Sequence, residues 1–66
     1  MQKRSLTIAS HKTSIALEPE FWEALEKIAS SKNISLIELI IQIDEKREVK
    51  NLSSALRVAS LKYFTQ

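Results

Sequence analysis

The run Ile-Ser-Leu-Ile-Glu-Leu-Ile-Ile-Gln-Ile, from Ile34 to Ile43, constrains the fold more than any other part of the chain. Ser35 followed by Glu38 is the signature of a helix start, a capping box. Ile34 and Leu39 stand where the accompanying hydrophobic staple belongs. At helical spacing, Leu36, Ile37, Leu39, Ile40, Ile41 and Ile43 occupy nearly the whole circumference. A helix apolar on most sides has to be buried on most sides. A chain of 66 residues has too little material to surround it, but a second copy of the same chain supplies the rest.

Composition removes the other ways of stabilising so small a domain. There is no cysteine, so disulfides and thiolate metal sites are excluded, and the one histidine, His11, cannot build a metal cage alone. No cofactor is expected. Oligomerisation remains, and 44% hydrophobic residues are ample for a core shared by two chains.

Upstream of the apolar run, Lys12–Leu17 alternates as a strand: Ile15 and Leu17 point one way, and Lys12, Ser14 and Ala16 the other. Ser5–Ala9 also alternates, with Leu6 and Ile8 on one face. The parity changes between Ile8 and Ile15, which places a bulge or turn near Ala9–His11. Residues 1–11 are treated as a basic extended arm. Pro19 opens the first helix, where a missing N–H costs nothing, and Glu20 and Glu23 suit the positive end of its dipole. Phe21, Ala24, Leu25, Ile28 and Ala29 form its apolar stripe, with Trp22 beside it and expected to pack against the third helix. The chain has no glycine, so left-handed turn positions are assigned to Asn33 and Asn51. Glu45–Lys50 is a charged connector. A third helix follows, capped by Asn51 or Ser53, with Leu52, Ala55, Leu56, Ala59 and Tyr63 on one face and Val58, Leu61 and Phe64 widening it. Arg57 and Lys62 read as solvated charges. The expected division is an arm over 1–11, a core over 12–46, and a connector with the C-terminal helix over 47–66.

The expected architecture is mostly α with one β-strand. A lone strand leaves its backbone N–H and C=O groups unpaired, and pairing with its own copy across a two-fold axis gives a two-stranded antiparallel ribbon. Lys12, Ser14 and Ala16 of both chains then face outward, and such a ribbon fits the major groove of DNA, about 12 Å wide. The net charge of +2 adds little, but Lys3, Arg4 and Lys12 precede any acid, whereas Glu18, Glu20, Glu23 and Glu26 cluster without a base.

The order strand, helix, Asn turn, Ser-capped helix resembles the ribbon-helix-helix repressors of the MetJ/Arc type over residues 12–46. Four segments, Lys3–Ile8, His11–Ser14, Leu17–Trp22 and Asn51–Arg57, extend the likeness to the short stand-alone ribbon-helix-helix proteins of alphaproteobacteria. The resemblance implies an intertwined homodimer that regulates transcription in a bacterial cytoplasm, associated with the nucleoid, by binding double-stranded DNA, with adjacent dimers on one operator. It places base contacts at Lys12, Ser14 and Ala16, the last able to offer only a methyl. It places a phosphate anchor at Ser35 and the amides of Leu36 and Ile37, which a helix N-terminus favours on physical grounds. Lys3 and Arg4 either clasp the phosphate backbone or enter a minor groove, or else form a disordered, solvated tail. His11 either donates to a phosphate or is simply a turn residue.

A catalytic constellation is hard to assemble from one histidine, one aspartate and no glycine-rich loop, so no enzyme is expected. Neither a signal peptide nor a membrane span is visible, and no small-molecule ligand is expected. The competing reading is a protein-interaction or antitoxin-like dimerisation module that uses the C-terminal helix, through Tyr63 and Phe64.

Overall fold

The computed structural model describes residues 1–8 and 10–65. Two strands, β1 (Gln2–Ile8) and β2 (His11–Leu17), are followed by three helices, α1 (Pro19–Ser31), α2 (Leu36–Lys46) and α3 (Leu52–Thr65). The strands pair antiparallel in a two-stranded sheet, with Lys3 opposite Ala16, Ser5 opposite Ser14, Thr7 opposite Lys12 and Ile8 opposite His11.

The expectation of one strand per chain is corrected here. The two-stranded antiparallel ribbon is present, but both of its strands come from one chain, and the expected arm supplies β1. The parity change near Ala9–His11 is the mark of that hairpin: a turn there lets Leu6 and Ile8 face the same side as Ile15 and Leu17. Ala9 lies outside the described residues. Ser10 lies in the turn with φ 71°, a left-handed value that falls on serine because the chain has no glycine. With β1 in place, β2 no longer requires a second copy to pair one of its edges.

The helices begin and end where their local chemistry directs. Pro19 is the first residue of α1. At its far end Asn33 takes φ 58°, the Ile34 N–H donates to the Ala29 carbonyl at 3.0 Å, and the Asn33 N–H donates to that of Ser30 at 3.1 Å. This pair of bonds is a Schellman ending. Ser35 caps α2, its Oγ accepting from the Glu38 N–H at 3.0 Å. Asn51 has no left-handed role. It caps α3 instead, its Oδ1 accepting from the Ser54 N–H at 3.2 Å.

The core joins the inner ribbon face to all three helices. Ile8, Ile15 and Leu17 meet Trp22, Leu25, Ile28 and Ala29 of α1, Leu39 and Ile40 of α2, and Leu56 of α3. Within one chain α2 is not buried on most sides: Leu39 and Ile40 are buried, Leu36, Ile41 and Ile43 are half-buried, and Ile37 is exposed. The third helix buries Ala55, Leu56 and Ser60 but leaves Val58, Leu61, Tyr63 and Phe64 exposed. Buried Ser60 was not foreseen; its hydroxyl donates to the Leu56 carbonyl at 2.9 Å, which satisfies it within the helix.

Candidate nucleic-acid interface

Alternation in two paired strands gives the ribbon two chemically distinct faces. Arg4, Leu6 and Ile8 of β1 and Thr13, Ile15 and Leu17 of β2 turn toward the helices. Lys3, Ser5, Thr7, Lys12, Ser14 and Ala16 turn away, and all but half-buried Ala16 are exposed. This outward face carries two lysines, three hydroxyls, one methyl and no acid. The Ser5 and Ser14 hydroxyl oxygens lie 3.4 Å apart across the strands. The arrangement offers donors and switchable hydroxyls, groups suited to base edges and phosphate oxygens.

The structure therefore brings Lys12, Ser14 and Ala16 together as expected and adds Lys3 directly opposite Ala16. The position with only a methyl thus gains a cationic neighbour on the adjoining strand. Ser5 and Thr7 were missed as members of this face. The signal was present, since Leu6 and Ile8 pointing inward puts both residues outward. His11 is exposed at the turn end of the ribbon, opposite Ile8.

Arg4 is not with them. Its side chain lies on the inner face, where its Nη1 donates to Glu26 Oε1 at 2.8 Å and its guanidinium sits 4.6 Å from the centre of the Trp22 ring. Trp22 is buried, and its indole N–H donates to the Gln2 carbonyl at 2.8 Å. A buried indole needs such a partner, and here the partner is the first residue of β1. Trp22, expected to pack against α3, thus holds the ribbon, within a core cluster that also includes Leu56 of α3. Arg57, expected to be solvated, donates through Nε to Glu18 Oε1 at 2.9 Å and lies 5.9 Å from the Phe21 ring centre. These contacts fix the ribbon to α1 from behind and fix α3 to the start of α1, leaving the outward face unencumbered.

Ser35, Leu36 and Ile37 sit at the N-terminus of α2. The Ser35 hydroxyl is occupied by the cap. The first bond of the helical ladder runs from the Leu39 N–H to the Ser35 carbonyl at 3.0 Å, so the N–H groups of Leu36 and Ile37 precede the ladder, with the dipole's positive end behind them. Among the described residues no group of histidine, cysteine, aspartate or glutamate is placed to hold a metal ion. No helix among them is long and apolar enough to cross a membrane.

A polar, acid-free outward face on a two-stranded ribbon, carried on three helices, defines a small ribbon-bearing domain. The chain belongs to the ribbon-helix-helix domain family, whose profile matches residues 1–64. Domains of this family are generally non-enzymatic DNA-binding transcription regulators that dimerise. No curated protein and no solved structure matches the chain significantly.

Proposed function

We infer that the protein is a homodimeric, sequence-specific transcription regulator that inserts its ribbon into the major groove and represses by occupying an operator. The observation that carries this reading is the outward face, on which Lys3, Ser5, Thr7, Lys12 and Ser14 stand exposed with no acid among them. Lys12 donates to guanine O6 or N7, Ser14 serves either base type, and Ala16 meets a thymine methyl. Lys3 and His11 take phosphates at the two ends of the ribbon. The amides of Leu36 and Ile37 anchor a further phosphate at the start of α2. Arg4 supports this from behind by fixing β1 to α1. A two-fold dimer presents the face twice, which matches a pseudo-palindromic site. The setting proposed is the bacterial cytoplasm, at the nucleoid.

The test is a titration of the purified chain against genomic fragments at several salt concentrations. Log affinity is expected to fall against log salt by about 0.9 per phosphate neutralised. No retained fragment and no salt slope would sink the reading. The exposure of Tyr63 and Phe64 favours a second reading, a protein-interaction or antitoxin-like module that engages its partner through α3. In that case Tyr63→Ala or Phe64→Ala weakens a protein complex while DNA binding survives.

A further inference from the structure

Between α2 and α3 lies an open groove of about 420 Å³ whose walls include Ile43, Val58 and Ala59, with Lys32, Lys46 and Lys62 along its border. Arg47 and Glu48 also border it, but Arg47 is held by Asp44 at 2.7 Å. Among the described residues the three lysines form no ion pair. An apolar floor with a cationic border fits a helix that carries both apolar and acidic side chains on one face.

The exposed surfaces of this chain differ in whether they meet that requirement. On α1 the exposed acids Glu20 and Glu23 have only Pro19 as an exposed apolar neighbour on the same helix, and α3 exposes apolar residues without an acid. The outer face of α2 has both. Ile37, Glu38, Ile41 and Glu45 fall within about 100° of arc at helical spacing. Ile37, Glu38 and Glu45 are exposed, Ile41 is half-buried, and neither glutamate is ion-paired among the described residues.

We propose that this groove receives α2 of a second copy, Ile37 and Ile41 entering the floor while Glu38 and Glu45 meet Lys46, Lys62 and Lys32. The contact is isologous, each copy giving one α2 face and one groove. It rests on the homodimer reading and deepens it. It assigns α3, which follows the ribbon and the two helices, the role of forming half of the dimer groove.

Sedimentation velocity on the full chain tests this with three variants, each checked for native helicity by circular dichroism. Lys46→Glu with Lys62→Glu, and separately Glu38→Lys with Glu45→Lys, are each expected to raise the dimer dissociation constant about tenfold or more, because both set like charges across the contact. Mixing the two double variants restores association, as does combining all four substitutions in one chain. Wild-type protein that is monomeric at micromolar concentration overturns the homodimer reading and the groove assignment together. A wild-type dimer indifferent to both reversals overturns the groove alone, as does association lost in both variants without recovery on mixing. An added acidic amphipathic peptide that occupies the groove of an intact dimer also overturns it, and identifies a foreign helix as the occupant.

Discussion

The two sides of this molecule are finished to different degrees. Where the ribbon meets α1, polar atoms and rings are matched within the chain: Arg4 with Glu26 and the Trp22 ring, and the Trp22 N–H with the Gln2 carbonyl. On the side of α2 and α3, Ile37, Val58 and Leu61 are exposed, and lysines border the apolar groove between the two helices. A 66-residue chain does not have enough apolar surface to close every side. It closes the side that holds the ribbon and leaves apolar side chains exposed on the other. A reading face has to be held in register before it meets its target, because disorder there would be lost on binding at a cost in affinity.

The largest effect is expected on the closed side. Trp22→Ala removes a fully buried ring, strands the Gln2 carbonyl and takes away the surface beneath Arg4. About 3–5 kcal/mol of stability should be lost, a large part of the total for so small a domain. Val58→Ala, on the open side, should cost the isolated chain well under about 1 kcal/mol, as surface substitutions usually do. Urea denaturation at low protein concentration compares the two. Similar losses would show that both sides are equally complete.

Next comes the ribbon's outward face. Lys12→Ala should weaken binding to the selected operator by roughly 1–3 kcal/mol and relax preference at one base step in each half-site. Equal loss on scrambled competitor DNA would reduce Lys12 to a phosphate contact. Ser5→Ala and Thr7→Ala probe the half of the face contributed by β1. If both leave affinity and preference untouched while Lys12→Ala does not, β2 alone does the reading.

Parts of this contrast are legible in the sequence because they depend on neighbours along the chain. Asn33, Ser35 and Asn51 fix helix ends through local bonds and Pro19 through its missing N–H; residue type places all of these but the left-handed turn assigned to Asn51. Lys12, Ser14 and Ala16 follow from strand alternation alone. The pairing of β1 with β2 is harder to read: it depends on a turn containing Ser10, a residue type with no special leaning to φ 71°. The Arg4 side chain is equally opaque, since its acid lies 22 positions away and its ring is buried. The apolar excess of α2 is plain in the sequence, but the chain leaves part of it uncovered.

A smaller effect is expected at the cap of α2. Ser35→Ala removes the oxygen that accepts from the Glu38 N–H and should cost about 1 kcal/mol. If the amides of Leu36 and Ile37 anchor a phosphate, DNA affinity should fall no further than the loss of helix order explains. Ser35→Asp keeps the cap but brings a negative charge to the same place. It should therefore preserve stability while weakening DNA binding, and unchanged binding would remove the phosphate anchor.

The smallest effect concerns the seam between α1 and α3, and pH isolates it. Glu18 is held below its ordinary value, first by a hydrogen bond from its own backbone N–H and then by the one from Arg57. A carboxyl whose pKa is depressed on folding adds stability above its unfolded pKa and loses it as pH falls through the folded one. Arg57→Met removes the guanidinium, and with it both the bond to Glu18 and the cation over Phe21. The variant should be slightly less stable than wild type near neutrality. The difference should narrow once pH drops below the usual carboxylate range, because protonated Glu18 no longer gains from Arg57. Denaturant midpoints from about pH 7 to about pH 2 follow this narrowing. A gap that stays constant across the range would assign the contribution of Arg57 to its contact with Phe21 and leave its bond to Glu18 without effect on the seam.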